Sequence, residues 1–190
     1  MKKIILASAS PRRRELLNQI GIEHDVLVSD IDESGPCKLP PKLYVESLAT
    51  MKAKAVAKDL KYKKEDILVI GADTIVVLGN EILGKPKDSQ DAKNMLGILS
   101  GKMHIVYTGV TVINANNNHM ESFVEGTKVY FREMTKKEID SYVSTKEPLD
   151  KAGSYGIQGR GGVFVEKIEG DYFTVMGLPI CKLYETLQRF

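Results

Sequence analysis

The chain has few residues of the kinds that build disulfide frameworks, metal clusters or histidine-based catalytic centres. Cys37 and Cys181 are its only cysteines in 190 residues, and they stand far apart and outside any metal-type spacing. We therefore expect a reduced intracellular compartment rather than a disulfide scaffold. The three histidines, His24, His104 and His119, fall in no metal or triad pattern, so we expect structural or surface roles for them.

A large charge of one sign and a long apolar run are also absent. Lysine and arginine total 27 against 25 acidic residues, whereas a general nucleic-acid binder carries a large basic surplus. No stretch approaches the ~20 apolar residues that span a bilayer. The apolar start, residues 4–7, is too short for a signal peptide and meets Arg12 almost at once. These features predict a soluble, cytoplasmic protein without a membrane or nucleic-acid partner.

The pattern of apolar residues predicts an α/β protein. With 43% hydrophobic residues, the chain can bury a core in one large domain or in two closely packed lobes with a cleft between them. Hairpins interrupt the strands and helices, which favours a mixed sheet over a doubly wound parallel one. The predicted helices are 11–21, 42–60, 89–100, 136–147 and one after Pro179; the predicted strands are 4–7, 25–29, 67–78, 81–83, 103–114, 120–133, 163–168 and 172–175.

An arginine-rich helix start is the first departure from ordinary local rules. Residues 8–14 read SASPRRR, in which Ser10 suits an N-cap and Pro11 a first helical position. Acidic residues belong in the first turn of a helix, yet Arg12 and Arg13 lie there. A phosphate docked on Ser8, Ser10 and the two arginines would account for the pattern. The alternative is a solvated basic turn.

Asp73 and Lys52 are polar residues at positions where the pattern is apolar. Asp73 interrupts the long strand 67–78, so its carboxylate is either desolvated or open to a cleft, where it could bind a metal or accept a proton. The alternative is a kink in which Asp73 caps a neighbouring turn. Lys52 shares a helical stripe with Val45 and Val56, and it either reaches solvent or supplies a charge to a phosphate.

Two further candidates lie in turns. Lys85 follows the predicted hairpin in a Gly-Lys-Pro turn. This position is equally compatible with an ordinary surface residue and with a second phosphate contact. Residues 153–162 include five glycines, which allow a backbone to approach a ligand closely. Gln158 lies within them and carries both a donor and an acceptor, as reading a base edge requires. A mobile surface loop is the alternative. The chain contains no Walker-type phosphate loop.

Together these motifs resemble the Maf family of nucleotide pyrophosphatases, historically called septum formation inhibitors. The matching segments are residues 8–17, 71–74, 85–86, 147–159, 170–172 and 177–179, so the resemblance covers essentially the whole chain. It implies the fold of inosine triphosphate pyrophosphatases, an elongated mixed sheet with flanking helices and two lobes around a central cleft. It also implies a divalent metal, Mg²⁺ or Mn²⁺, and often a homodimer.

The resemblance assigns roles by position. Asp73 matches the proposed general base and Glu33 an acidic residue of the cleft, and we expect the two to hold the metal. Arg12, Thr74 and Gln158 match positions linked to substrate choice. The phosphate-binding surface corresponds to Ser8, Arg13, Lys52 and Lys85. The form of residues 155–159, YGIQG, resembles the branch that acts on dTTP and UTP.

The resulting hypothesis is hydrolysis of a nucleoside triphosphate between its α- and β-phosphates, with Asp73 acting on the attacking water. The main rival is a non-catalytic nucleotide sensor that restrains cell division by binding a partner protein. Such a sensor needs the basic residues but has no use for a desolvated carboxylate. A second rival, an RNA-binding module, is disfavoured by the near-neutral charge and by the few aromatic residues.

Overall fold

A computed structural model describes residues 2–28, 31, 39–60 and 65–190. In chain order, its helices and strands are β1 (Lys3–Ala7), α1 (Pro11–Gln19), β2 (Asp25–Val26), α2 (Pro41–Leu60), β3 (Ile67–Leu78), β4 (Glu81–Leu83), α3 (Ser89–Leu99), β5 (Met103–Asn114), β6 (Met120–Phe131), α4 (Lys136–Ser144), β7 (Val165–Glu169), α5 (Tyr172–Met176) and α6 (Ile180–Leu187). Three 3₁₀ turns, Glu147–Asp150, Ala152–Ser154 and Arg160–Phe164, lie between α4 and β7.

The strands form a mixed sheet, as predicted. Within the described residues seven strands join in the order β2-β1-β3-β5-β6-β7, and β4 pairs with β3. β1 pairs in parallel with β2 and with β3, whereas the β3–β4 and β6–β7 pairs are antiparallel. The turn at residues 79–80 joins β3 to β4, where Gly79 has a φ of 60° that glycine adopts readily.

The chain divides into two compact units. One comprises Met1–Asp73, Thr108–Glu125 and Gly177–Phe190, and the other comprises Thr74–Tyr107 and Gly126–Met176. Each has an apolar core of its own. In the first unit α2 packs on β1 and β3 through residues such as Ala53, Val56 and Val69. In the second unit α3 and α4 enclose a core that includes Leu96, Phe131 and Tyr142.

Two helices begin with side-chain caps. Asp88 accepts a hydrogen bond from the Asp91 N–H at the start of α3 (2.8 Å). At α4, Thr135 and Glu138 form a reciprocal capping box. Arg132 and Thr135 hydrogen bond to the Glu138 carboxylate and lower its pKa to about 2, so the box stays charged at neutral pH.

Two predicted strands are wrong in part or in whole. β2 is Asp25–Val26, because among the described residues only these two pair with β1, and Val28 is 64% exposed; residue 29 of the predicted strand lies outside the described residues. Residues 172–176 form helix α5 instead of a strand. The Asp171 carboxylate starts that helix by accepting hydrogen bonds from the N–H groups of Phe173 and Thr174.

No helix among the described residues is both long enough and apolar enough to cross a bilayer.

Candidate functional site

The parallel pairing of β1 with β3 places two predicted site segments side by side in the first unit. The register runs from Lys3 opposite Ile67 to Ala7 opposite Gly71. Ser8 therefore begins one residue beyond the paired region, and Asp73 lies two residues beyond it on the neighbouring strand. β1 ends at Ala7 while β3 continues to Leu78, so the Ser8 segment leaves the sheet beside the part of β3 that carries Asp73.

Arg13 is buried beside Ser8, which follows the end of β1, and its side chain is held by protein groups. Its Nε donates to the carbonyl oxygen of Gly177 (2.8 Å), and its Nη1 donates to Oγ of Ser8 (2.9 Å). The backbone N–H of Ser10 also donates to Ser8 Oγ (3.3 Å). Arg13 therefore joins the start of α1 to the segment before α6 and orients the Ser8 hydroxyl. A direct contact between Arg13 and a phosphate stays a prediction.

The start of α1 has the basic character that the sequence predicts. Ser10 occupies the N-cap position in an extended conformation, Pro11 follows it, and no acidic residue lies in the first turn. Among the described residues, the Ser10 side chain makes no capping hydrogen bond. Arg12 is partly exposed beside the buried Arg13. The positive end of the helix dipole is therefore reinforced by arginine rather than neutralised by a carboxylate, which favours an anion.

Lys52 and Asp73 form a shielded ion pair. Lys52 Nζ lies 2.5 Å from Asp73 Oδ1, and the two side chains are only 14% and 13% exposed. Both polar anomalies in the apolar pattern thus have the same explanation: each charge compensates the desolvation of the other. Of the alternatives left open by the sequence, neither a Lys52 extended into solvent nor an Asp73 that caps a turn is observed.

Close packing of α2 on β3 brings this pair together. A Cβ atom on Gly71 would collide with the Ala49 carbonyl oxygen and would lie 2.6 Å from the Ala53 backbone nitrogen. A Cβ on Gly109 of β5 would similarly lie 2.7 Å from the Val45 carbonyl oxygen. Since only glycine allows this approach, the backbone of α2 lies directly on the sheet, one turn from Lys52.

Three predicted residues belong to the second unit. Thr74 follows Asp73 within β3 and is partly buried, and Lys85 is exposed after β4. Gln158 is exposed on the glycine-rich turn that precedes the 3₁₀ turn Arg160–Phe164. The carbonyl oxygen of Gly84 accepts a hydrogen bond from the Gly153 N–H (3.0 Å), which ties the Lys85 turn to the start of the glycine-rich segment.

Glu147 is a site residue that sequence motifs did not reveal: its carboxylate contacts the backbone of the turn that carries Gln158. The signal was a glutamate beside Pro148, ahead of a run of glycines. Only the folded arrangement shows which groups that glutamate binds.

The predicted metal ligands are only partly described. Glu33 and Cys37 lie outside the described residues. Within the ranges that the structure covers, no cluster of three or more His, Cys, Asp or Glu side chains could hold a metal ion. Asp73 is thus the predicted metal ligand whose surroundings are known.

Comparison with solved structures identifies the class of fold. The Staphylococcus aureus Ham1 protein superposes with a TM-score of 0.51, covering 86% of this chain and 80% of that one at 17% sequence identity. At this identity the likeness shows a shared fold. The predicted α/β fold with a mixed sheet and flanking helices is therefore confirmed, and it is shared with the Ham1 protein.

Sequence comparison then identifies the family. The family model for Maf-like proteins matches residues 3–190, and the chain belongs to that family. A dTTP/UTP pyrophosphatase of Bacillus cereus is 52% identical over all 190 residues, which cover 96% of that protein. One of Bacillus thuringiensis, with the same name, is 51% identical over the same length and with the same coverage.

Proposed function

We propose that this protein hydrolyses dTTP and UTP to the nucleoside monophosphate and pyrophosphate. The shielded Lys52–Asp73 pair carries the proposal, because it places a desolvated carboxylate on β3 beside the end of β1, from which Ser8 and the arginine-rich start of α1 follow. Family membership supports it, as does the name dTTP/UTP pyrophosphatase of relatives that are 51–52% identical over the whole chain.

The proposed reaction is attack of water on the α-phosphorus. Asp73 accepts a proton from that water as the new P–O bond forms, and the bond from the α-phosphorus to the oxygen bridging to the β-phosphorus breaks. Pyrophosphate leaves with the electron pair of that bond. The ion pair uses Oδ1 of Asp73, and no other group among the described residues hydrogen bonds to its carboxylate. Oδ2 is therefore the oxygen that meets the water.

The basic residues bind and stabilise the phosphates in this proposal. Lys52 keeps the Asp73 carboxylate in place and can also donate to a phosphate oxygen, because an ammonium group carries three donors. Arg12, together with the backbone N–H groups in the first turn of α1, binds oxygens of a second phosphate. Arg13 acts by orienting Ser8. Lys85 adds a positive charge that stabilises the negative charge developing on the leaving pyrophosphate.

A divalent cation, Mg²⁺ or Mn²⁺, fits the donors that are present. Magnesium is commonly bound by one or two carboxylates together with substrate phosphates, so Asp73 provides a suitable oxygen ligand without a dedicated cluster. Glu33, outside the described residues, is the second proposed ligand. When bound, such an ion neutralises phosphate charge and makes a coordinated water more acidic.

Gln158 and Thr74 select the base in this proposal. The Gln158 amide carries both a donor and an acceptor for the edge of a pyrimidine. A base that left this amide unpaired would lose roughly 1–3 kcal/mol of binding, which is enough for clear discrimination. We also propose that the protein acts in the cytoplasm and as a homodimer; light scattering after gel filtration would measure the oligomeric state.

The test is product analysis with each common nucleoside triphosphate, with Mg²⁺ or Mn²⁺ added, by ion-exchange chromatography. We expect monophosphate and pyrophosphate from dTTP and UTP. Asp73→Asn should lower kcat by about a hundredfold or more with little loss of nucleotide binding, because it removes the proton acceptor. Asp59→Asn, an exposed carboxylate on α2, is the matched control and should retain wild-type turnover.

Other products would reject parts of the proposal. Nucleoside diphosphate and free phosphate would show that cleavage occurs at a different bond. Binding without any product would favour the non-catalytic nucleotide sensor. Near-unchanged turnover in Asp73→Asn would remove its assigned role.

A further inference from the structure

The glycine-rich turn that carries Gln158 is closed around the carboxylate of Glu147. Oε2 of Glu147 accepts a hydrogen bond from the Arg160 N–H (3.1 Å), and Oε1 accepts a longer one from the Gly161 N–H (3.4 Å). Glu147 begins the 3₁₀ turn Glu147–Asp150, so the contact joins two segments that are 13 and 14 residues apart in the chain. All of these residues lie within the second unit.

Tyr142 of α4 holds the other side of the same turn. Its hydroxyl donates to Glu147 Oε1 (2.9 Å) and accepts from the Gly156 N–H (3.2 Å). Burial of the side chain raises the pKa of the Tyr142 phenol above its usual value, so the phenol stays protonated at neutral pH and remains a donor. The backbone N–H groups of Gly156 and Arg160, two residues before and two residues after Gln158, are thus both hydrogen bonded to the Tyr142–Glu147 pair.

The glycines of the turn lie against these side chains. A Cβ on Gly159 would lie 2.7 Å from the carboxylate carbon of Glu147, and one on Gly161 would lie 2.6 Å from the Tyr142 hydroxyl. The turn also carries internal hydrogen bonds from Gly159 N–H to the Gly156 carbonyl (3.3 Å) and from Gly162 N–H to the Gly159 carbonyl (3.1 Å). Glycine here permits close approach to a carboxylate.

We infer that Glu147, together with Tyr142, is a positioning residue that sets base selection by holding the backbone on either side of Gln158; this inference rests on the proposed function. Gln158 itself is exposed, so its orientation depends on the turn beneath it. An amide that reads a base edge has to be held within about 0.5 Å of its productive position. Both carboxylate oxygens of Glu147 already accept hydrogen bonds within the protein, which is the pattern of a structural anchor.

The direct test compares the selectivity of Glu147→Gln with that of wild type, using dTTP and dGTP. In Glu147→Gln one carboxylate oxygen becomes an N–H₂ group, which cannot accept a hydrogen bond from a backbone N–H. The turn therefore loses one of its two acceptor oxygens. We expect kcat/KM for dTTP to fall about tenfold, mostly through KM, while the value for dGTP changes less than about twofold. Glu166→Gln, an exposed carboxylate on β7, is the matched control and should leave both values unchanged.

A double-mutant comparison separates positioning from a direct role. In a Gln158→Ala background, Glu147→Gln should change the dTTP-to-dGTP ratio less than about twofold, because the residue that it positions is gone. A full tenfold effect in that background would overturn the inference, as would a fall in kcat with unchanged KM in the single variant. An unchanged ratio in Glu147→Gln would also overturn it.

A milder variant and a second readout cover the case in which Glu147→Gln does not fold. Tyr142→Phe removes one hydroxyl and should shift the same ratio in the same direction by a smaller factor. Hydrogen exchange at the amides of Gly156, Arg160 and Gly161 should accelerate in both variants, and unchanged protection would contradict the anchor. If wild type hydrolyses no triphosphate, the proposed function fails, and the ratio of the Kd values for dTTP and dGTP then tests the inference.

Discussion

Replacing Lys52 by methionine tests whether the shielded ion pair holds α2 against β3. The substitution keeps an unbranched side chain of similar length but leaves the Asp73 carboxylate without its partner. Removing one member of a fully buried pair costs about 3–5 kcal/mol, because the remaining charge stays desolvated. Here the two side chains are 14% and 13% exposed, so water reaches them only slightly, and we expect a loss near the lower end, about 3 kcal/mol.

The charge-neutral double variant should recover most of that loss. Lys52→Met with Asp73→Asn removes both charges of this ion pair, and we expect a net cost of about 1 kcal/mol. Asp73→Asn alone should also cost about 1 kcal/mol, because the long lysine stem can carry its ammonium group toward water. The two single variants are therefore predicted to be strongly non-additive.

Urea unfolding at pH 7.5, followed by circular dichroism, measures these values. With a slope of about 2 kcal/mol per molar urea, the expected loss for Lys52→Met lowers the midpoint by roughly 1.5 M. Lys54→Met, an exposed lysine on the same helix, is the control and should stay within about 0.5 kcal/mol of wild type. Equal costs for Lys52→Met and Lys54→Met, with additivity in the double variant, would refute the reasoning.

Two further predictions concern packing and pH. Gly71→Ala should lower the free energy of unfolding by about 1–3 kcal/mol and reduce activity, because its Cβ forces β3 away from α2. Gly97→Ala on α3, where a Cβ meets nothing within 4 Å, should instead raise the stability by about 0.5–1 kcal/mol; both are measured by urea unfolding. Burial lowers the pKa of His104 from 6.5 to about 4, so the unfolded chain takes up a proton at a higher pH than the folded one. The stabilisation from neutral His104 is complete above about pH 6.5 and is lost progressively as the pH falls toward 4. Between pH 7.5 and 5.5 it should fall by about 1 kcal/mol, and His104→Gln should lack this component.

The outcomes that would contradict these two predictions are distinct. If Gly71→Ala and Gly97→Ala changed stability in the same direction, the close approach at Gly71 would not matter energetically. If wild type and His104→Gln lost the same stability between pH 7.5 and 5.5, proton uptake at His104 would not distinguish the folded and unfolded states.

Local sequence signals predicted most of the helices and strands. A capping box such as that of Thr135 and Glu138 involves residues three apart, so the sequence contains the whole interaction. The hairpin of β3 and β4 likewise depends on its own turn. Where the local signal was ambiguous, the prediction was wrong: residues 172–175 are aromatic and β-branched, as in many strands, but Asp171 caps them as the start of a helix.

The sequence also identified the candidate site residues through their departures from apolar pattern and charge rules. It showed that Asp73 and Lys52 lie among apolar neighbours, but it could not show that they pair. Their contact joins residues 21 apart and requires the glycine at position 71 to admit α2. Likewise, the basic start of α1 predicted an anion site, but not the bond from Arg13 to the carbonyl of Gly177, 164 residues away.

The sequence by itself thus determined the helix and strand periodicities, the caps, the tight turn and the family. Each of these depends on neighbouring residues, or on motifs whose order along the chain is enough. Only the tertiary structure decided which charges compensate each other and which backbone segment Glu147 holds. Those contacts form between segments far apart in the chain, and their geometry is set by how closely helix, strand and turn can pack.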